Sequence, residues 1–201
     1  MEIKRRTQAE RTAATRAALI AAARPRFGAH GYAGVSTPEV AEAAGVSRGA
    51  LYHHFEDKAA LFAAVLEAVE AELTERIAEA ALSATAGHAL EALRLGAAAW
   101  LDATADPEVR QILLLDGPVV LGWTGWRDLT ARYGLGLTEA ALAAGIADGT
   151  VRPGPVSTMA HLLLGALNEA AQLVAGAEDP AAARAEVDAV VDILLDALRS
   201  P

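Results

Sequence analysis

The segment GVSRGALYHHFEDKAALF, at positions 45–62, concentrates side chains that bind phosphates and base edges. Ser47 stands where a helix is predicted to begin, and its hydroxyl and the exposed amino terminus of that helix can hydrogen-bond to phosphate. Arg48 can donate two hydrogen bonds to guanine O6 and N7, and Gly49 allows a close backbone approach. The flanking phosphates are within reach of Tyr52, His53, His54 and Lys58. These residue types at this spacing predict a contact with the major groove of double-stranded DNA.

Two short predicted helices position these residues. Ser36 or Thr37 is predicted to cap the first helix, in which Pro38 suits the first helical position. Gly45 ends this helix, and the next one begins after Ser47 and runs to about residue 55. Two short helices joined by a tight turn have the geometry of a helix-turn-helix, whose second helix enters the major groove. The residues predicted to face inward are Val40, Ala41, Val46, Leu51 and Phe55.

The adjacent histidines His53 and His54 also raise the question of a metal site. Neighbouring residues on a helix point about 100° apart, so the two rings diverge. The chain has no cysteine, and no nearby pair of carboxylates completes a ligand set. We therefore predict no metal and no cofactor.

The composition indicates a folded protein of one large or two small domains. Of the 201 residues, 53% are hydrophobic and 21% are charged, which is too apolar for a disordered chain. The absence of cysteine excludes disulfides and thiolate chemistry. The amino end has no apolar stretch after its charges, and no later segment approaches 18 strongly apolar residues. We therefore expect a cytoplasmic protein with no membrane segment.

The net charge of −9 is distributed unevenly. Residues 1–60 carry nine Lys and Arg against six Asp and Glu, whereas residues 61–201 carry eight against twenty. A basic amino-terminal part can face a polyanion while the acidic remainder stays away from it. Residues 1–11 form a basic arm, and its KRR sequence at 4–6 is either a solvated tail or an arm that reaches the minor groove.

Apolar residues recur at three- and four-residue steps along nearly the whole chain, which predicts an all-α fold. A first helix is predicted from about Ala13 to Gly28, and Pro25 within it should kink that helix. A long fourth helix is predicted to open at Glu56 or Asp57. Its apolar stripe consists of Leu61, Phe62, Val65, Leu66, Val69, Leu73 and Ile77.

Later helices are separated by recognisable breaks. Asp106 and Pro107 are predicted to cap and begin one helix, and a further break is expected within the stretch LLLDGPVVLGWTGW, residues 113–126. The sequence DGTVRPGP, residues 148–155, predicts a turn. Two regular apolar helices follow it.

The three tryptophans fall close together in a chain with only 4% aromatic residues. Aromatic side chains with a few polar groups are typical of an apolar ligand cavity between helices, although ordinary core packing is the alternative for each of them. The residues predicted to line this cavity are Trp100, Leu113, Asp116, Trp123, Trp126, Tyr133 and Asn168. The carboxylate of Asp116 favours a cationic or neutral ligand over an anion. A carboxylic acid ligand would instead need Arg110, Arg127 or Arg132.

The stretch TPEVAEAAGVSRGALYHHFEDKAALF closely resembles the DNA-binding motif of TetR-family transcriptional repressors. The motif has Ala, three residues, Gly-Val-Ser, then Leu-Tyr-x-His/Tyr-Phe and a Lys before Leu, and the resemblance extends from about Thr12 to Leu66. Pro25 and Arg26 depart from the family pattern, which usually has an uninterrupted first helix. The DNA-contacting positions that the resemblance implies are Thr37, Ser47, Arg48, Gly49, Tyr52, His53, His54 and Lys58.

The same resemblance implies two domains. Residues 1–58 would form the helix-turn-helix domain and residues 59–201 a helical domain for ligand binding and dimerisation. In the family the last two helices pair with those of a second subunit, and such a two-fold dimer implies a palindromic operator. The residues predicted at this interface are Leu163, Leu167, Val187, Val191, Leu194 and Leu198.

These observations predict a homodimeric repressor that a small apolar or aromatic effector releases from DNA. One alternative is a constitutive dimeric DNA-binding protein with no effector. A helical enzyme that uses Asp116 and His161 is a third hypothesis, but the chain has no nucleophile elbow, phosphate loop or metal-ligand spacing. His88 and His161 are isolated and are interpreted as structural residues.

Overall fold

The computed structural model describes residues 7–84 and 89–201. Its regular elements are helices, and the one β-bridge in this part of the chain is isolated and joins Val151 and Arg199. The predicted all-α fold is confirmed. The KRR sequence and His88 lie outside the described residues. The helices are α1 Gln8–His30, α2 Thr37–Ala43, α3 Arg48–His54, α4 Lys58–Leu82, α5 Ala89–Thr104, the single turn α6 Pro107–Val109, a π-helical segment Arg110–Asp116, α7 Gly117–Ala147, α8 Val156–Gly176 and α9 Pro180–Asp196.

Helix α1 begins earlier than predicted because Thr7 and Glu10 form a capping box. The Thr7 hydroxyl accepts from the Glu10 amide, and the Glu10 carboxylate accepts from the Thr7 amide at 2.7 Å. Pro25 lies inside the helix, which nevertheless continues to His30. The chain leaves the helix at Gly31, whose positive φ of 67° suits a residue without a Cβ.

Side-chain caps define the beginnings of the next three helices. Ser36 caps α2, Ser47 caps α3 and Asp57 caps α4, each by accepting a backbone amide from the first turn. Both serine caps and the Asp57 cap agree with the predicted starts. Gly45, at φ 68°, makes the turn between α2 and α3. Its neighbour Ala44, the C-cap of α2, still has helical backbone angles.

The break expected within residues 113–126 is present at one residue, Gly122. The π-helical segment passes directly into α7, in which the single departure from helical backbone is Gly122, at φ 69° and ψ 158°. Asp106 caps the turn before this segment and Pro107 follows it, as predicted. The turn expected at residues 148–155 is also present between α7 and α8.

One continuous apolar core joins the helix-turn-helix to the larger part of the chain. It contains Phe27 of α1, Leu51 of α3, Phe62 of α4, Trp100 of α5 and Trp126 of α7. Helix α4 runs through this core and packs against α1, α5 and α7. The apolar stripe predicted for α4 is confirmed, since six of its members are buried and Ile77 packs against them. The predicted domain boundary at residue 58 coincides with the first residue of α4.

No helix in the described part of the chain is both long and apolar enough to cross a membrane.

Candidate functional site

The helix-turn-helix is held together by its buried side chains. Leu51 and Phe55 of the α3 region pack against Val40 and Ala41 of α2, and all four are at most 4% exposed. Val46 is half-buried against the same core. This packing fixes the angle between α2 and α3 and leaves the opposite face of α3 open to solvent.

The open face of α3 carries most of the residues predicted to contact DNA. Ser47, Arg48, Gly49 and His53 are exposed, Tyr52 is 42% exposed, and His54 is half-buried. Ser47 uses its hydroxyl to accept the Ala50 amide at 3.1 Å. A Cβ placed on Gly49 would meet nothing closer than the Ser47 hydroxyl at 3.9 Å, so this face has room for a ligand. The structure therefore brings these residues together at one surface.

Tyr52 connects the exposed face of α3 to α2. Its hydroxyl lies 2.9 Å from the hydroxyl of Thr37, which is only 7% exposed, and the Arg48 guanidinium carbon lies 5.6 Å from the centre of its ring. The bond with Thr37, followed by the proximity of Arg48, holds the pKa of Tyr52 below its usual range. Thr37 is therefore buried beneath this surface, where its hydroxyl orients Tyr52.

Lys58 is placed differently from the expectation of a free ammonium against phosphate. Its Nζ donates to the carbonyl oxygens of Tyr32 and Val35, at 2.9 and 3.0 Å, and lies 4.1 Å from the centre of the Tyr32 ring. Two of its three donors are thus used inside the domain. Through these bonds Lys58 attaches the loop between α1 and α2 to the start of α4.

The two histidines are adjacent on α3. The rings of His53 and His54 lie 5.5 Å apart in an edge-to-face arrangement. Within residues 7–84 and 89–201, no group of three or more His, Cys, Asp or Glu side chains is placed to hold a metal ion.

A cavity of about 710 Å³ lies among α4, α5, α7, α8 and α9. Four of the seven predicted lining residues border it, namely Trp100, Trp123, Trp126 and Asn168. Trp126 is 1% exposed in the wall of the cavity, whereas Trp123 is 61% exposed. The centres of the two tryptophan rings lie 5.1 Å apart. The indole nitrogen of Trp100 donates to the Leu167 carbonyl at 3.2 Å, which fixes that ring.

The other three predicted residues lie outside the cavity lining. Leu113 is fully buried in the main core, and Tyr133 packs against that core. Asp116 accepts the backbone amide of Tyr32 at 2.7 Å and so ties the end of the π-helical segment to the loop after α1. Its carboxylate is therefore engaged with the DNA-binding part of the chain.

The sequence prediction missed Glu70, a lining residue that is 4% exposed. Its Oε1 is buried without a hydrogen-bond partner, and burial raises the pKa of its carboxyl group to about 8. A signal was present in the sequence, because Glu70 lies four residues after Leu66 and three before Leu73 on the apolar stripe.

The arginines considered for a carboxylic acid ligand are placed away from the cavity interior. Arg127 is exposed at the rim, and Arg132 pairs with Glu67 at 3.1 Å. Arg110 is outside the lining. His161 and Glu169 are exposed lining residues, and His161 Nδ1 lies 2.8 Å from the Ser157 carbonyl oxygen.

Most of the residues predicted at a subunit interface face the interior of the subunit. Leu163, Leu167 and Val191 line the cavity, and Val187 and Leu198 pack against the two cores. Leu194 also borders the cavity but is 43% exposed, and it is the one prominently exposed member of the predicted set. The large apolar side chains that α8 and α9 expose to solvent are Leu162, Leu173, Val190, Ile193 and Leu194.

The fold and the exposed α3 face define the class of helix-turn-helix DNA-binding regulators. Residues 19–65 match the family described as bacterial regulatory proteins, tetR family, and residues 90–198 match the family described as tetracyclin repressor-like, C-terminal domain. The second match alone covers more than half of the chain. The chain belongs to the TetR family, whose members are transcriptional regulators and not enzymes.

Individual relatives agree with this assignment. The HTH-type transcriptional regulator CymR of Pseudomonas putida is 50% identical over 76 residues, 38% of this chain and 37% of that protein. The repressor AcnR of Corynebacterium efficiens is 40% identical over 65 residues, 32% of this chain and 35% of that protein. These two matches thus cover little more than a third of each relative. A crystal structure of a TetR-family regulator from Pectobacterium atrosepticum is 36% identical, with a TM-score of 0.86 over 98% of this chain and 99% of that one.

Proposed function

We propose that the protein is a homodimeric repressor that a small apolar or aromatic effector releases from a palindromic operator. The observation that supports this function best is the position of α4. This helix forms one wall of the cavity through Glu70, and its first residue, Lys58, holds the loop that precedes the helix-turn-helix. The twelve-residue step from Lys58 to Glu70 spans roughly 18 Å of helix.

The DNA contact is proposed for the exposed face of α3. Arg48 is placed to contact base edges, and Ser47 and the open backbone at Gly49 to contact phosphate. Tyr52 and the two histidines extend this surface along α3. Residues 1–58 would then act as the DNA-binding domain, and residues 59–201 would bind ligand and dimerise.

The dimer is proposed to form through the exposed apolar residues of α8 and α9. Val190, Ile193 and Leu194 recur at three- and four-residue steps along α9, and Leu162 and Leu173 lie on one face of α8. A second copy of this chain presents the same surface, which a two-fold axis can bury against it. Two recognition helices about 34 Å apart would then read two inverted half-sites.

Release from DNA is proposed to follow from a preference of the effector for one conformation. An effector shifts the equilibrium only by the difference between its affinities for the two conformations. Filling the cavity displaces α4 against α5, α7 and α8, and α4 carries this displacement to the loop held by Lys58. The separation of the two recognition helices would change as a result.

Selection of bound sequences from random DNA, repeated in the presence of a metabolite panel, tests this function. We expect the selected sequences to share an inverted repeat and one class of metabolite to reduce their recovery. Recovery of an asymmetric or random set would contradict the operator proposal. An inverted repeat whose recovery no metabolite changes would favour a constitutive dimeric DNA-binding protein.

A further inference from the structure

Glu70 places a carboxyl oxygen without a hydrogen-bond partner in the described wall of the cavity. It lies on α4, is 4% exposed, and leaves Oε1 buried without a hydrogen bond. A buried polar group without a partner is costly, and a buried charge is more so. Desolvation accordingly raises the pKa of this carboxyl group to about 8. Burial is the one cause of this shift, and no neighbouring cation lowers the pKa again.

Neither Thr74 nor Trp126 supplies a partner for the buried Oε1 of Glu70. The Thr74 hydroxyl donates to the backbone carbonyl of Glu70 at 2.8 Å. The indole nitrogen of Trp126 is also buried without a partner, but it faces Gly117, where a Cβ would lie 3.1 Å from it. The N–H edge of Trp126 is therefore packed against the first residue of α7.

The remaining charged or titratable lining residues come from α7 and α8. They are Arg127, His161 and Glu169, and all three are exposed at the rim. Among the described lining residues, Arg127 is the one Arg or Lys. The rest of the described lining consists of aliphatic residues, the tryptophans and the neutral polar residues Thr74, Thr130, Thr138 and Asn168, so Glu70 is its one buried acid.

We propose that the cavity binds an aromatic or apolar ligand that carries a protonated amino group, and that this group is held by the carboxylate of Glu70. This inference specifies the effector of the proposed function and rests on it. An ammonium supplies the donors that Oε1 lacks, and such charge-assisted hydrogen bonds are about twice as strong as neutral ones. The rings of Trp100 and Trp126 provide flat faces for the ligand body and favourable contacts for a cation.

Other ligand chemistries fit the interior less well. A carboxylate would approach the buried acid with no basic side chain beside it, since Arg127 is at the rim. An alcohol can hydrogen-bond to Glu70, but it gains only the neutral interaction. The cavity therefore favours a cation over a neutral molecule of the same shape.

Three ligands that share one ring system test this inference: 1-naphthylmethylamine, 1-naphthylmethanol and 1-naphthoate. Their affinities for the intact protein at pH 7 are measured by calorimetry and by tryptophan fluorescence, without DNA. We expect the amine to bind roughly tenfold or more tightly than the alcohol, which corresponds to about 1.4 kcal/mol, and naphthoate to bind most weakly. Equal affinities, or tightest binding of the alcohol or the carboxylate, would overturn the proposal.

Glu70→Gln identifies the group responsible. It should bring the affinity for the amine to that for the alcohol and leave the affinity for the alcohol within about twofold, because the shape of the wall is kept. Glu75→Gln, which neutralises an exposed acid of the same helix outside the lining, is the matched control and should keep the preference for the amine. A preference that survives Glu70→Gln, or that Glu75→Gln abolishes, refutes the role of Glu70. The wild-type ligand series decides the charge preference even if a variant fails to fold.

Operator release is measured separately with the same amine, so the two proposals can fail independently. Glu70-dependent binding without release supports the ligand site and contradicts the ligand-responsive mechanism. Release by naphthoate or the alcohol, with no binding of the amine, supports the mechanism and overturns the role of Glu70.

Discussion

At the scale of single residues, Arg48 and Tyr52 form the centre of the proposed DNA contact. Arg48 lies over the Tyr52 ring, and the Tyr52 hydroxyl is bonded to Thr37 at the start of α2. A long side chain loses considerable rotamer freedom when it binds, and stacking on a fixed ring reduces that loss. The sequence predicts the residue types at this surface, and the structure adds that Thr37 orients its neighbour.

Arg48→Ala should weaken binding to the preferred operator and flatten base preference at the position it contacts. A bidentate contact to guanine contributes about 1–3 kcal/mol of discrimination, so the loss should be roughly 5- to 150-fold. Titrations of the operator and of single-base variants measure it. Arg76→Ala, which removes an equal exposed charge from α4, should leave base preference unchanged. Base preference that is intact in Arg48→Ala would show that another residue makes the contact.

Lys58→Ala should lower the stability of the protein, because two carbonyl oxygens lose a charged donor. The expected cost is about 1–3 kcal/mol, which for a chain of this size lowers the midpoint of thermal unfolding by a few degrees. If Lys58 instead contacts a phosphate, the slope of log K for DNA binding against log salt concentration should fall by roughly one in Lys58→Ala. Thermal unfolding and salt titrations are therefore measured together. A reduced salt slope with an unchanged melting temperature would show that Lys58 contacts a DNA phosphate.

At the scale of elements, helix ends were predictable and cavity membership was not. Ser47, Asp57 and Asp106 cap their helices through contacts within a few residues, which a sequence displays directly. Whether a residue faces a cavity depends on how distant helices pack. Asp116 and Tyr133 lie near the tryptophans in sequence but face other neighbours, whereas Glu70 reaches the cavity from α4, thirty residues before Trp100.

The π-helical segment explains why the chain stays helical at Asp116, so that the break expected within residues 113–126 comes later, at Gly122. A π-helix inserts an extra residue into a turn without ending the helix, and the Gly117 amide there bonds to the Ile112 carbonyl. Sequence patterns with a period of 3.6 residues do not represent such a segment. The actual departure from helical backbone falls at Gly122, directly before Trp123 at the mouth of the cavity.

Gly122→Ala should destabilise the protein by about 1–3 kcal/mol, because φ 69° with ψ 158° is accessible almost only to glycine. A Cβ at this position would meet no atom within 4 Å, so the cost comes from the backbone angles and not from crowding. Gly125→Ala, three residues later in helical conformation, is the matched control and should stabilise by about 0.5–1 kcal/mol. Chemical denaturation measures both. If the two variants change stability in the same direction, the backbone at Gly122 is not the constraint described here.

At the scale of the whole molecule, one core connects the parts of the chain to which the two functions are proposed to belong. The helix-turn-helix and the cavity share α4, and the apolar cluster around it extends from Leu19 to Trp126. Arg24 of α1 adds a polar link, with Glu72 of α4 at 2.5 Å and Glu108 of α6 at 2.6 Å. A ligand that moves α4 must therefore move residues in both parts, because close-packed interiors transmit displacement.

The apolar surface of α8 and α9 leads to the last prediction, that Val190→Asp combined with Ile193→Asp gives a folded monomer. These residues are 54% and 67% exposed, so the charges are tolerated in one subunit but would be buried without partners at a two-fold interface. Light scattering should report half the mass of the wild type with unchanged helical content. Affinity for the palindromic operator should fall by roughly 100-fold or more, because the two half-sites are no longer bound together.

Two further variants distinguish interface from interior. Val119→Asp places a charge on an 81% exposed residue of α7 and should leave the dimer intact. Val191→Asp, one residue away from Val190, places a charge at the cavity wall and should lower the melting temperature of the subunit itself. A double variant at positions 190 and 193 that keeps the wild-type mass would move the interface to another surface. Monomers that still bind the palindrome with wild-type affinity would contradict the two-fold arrangement of recognition helices.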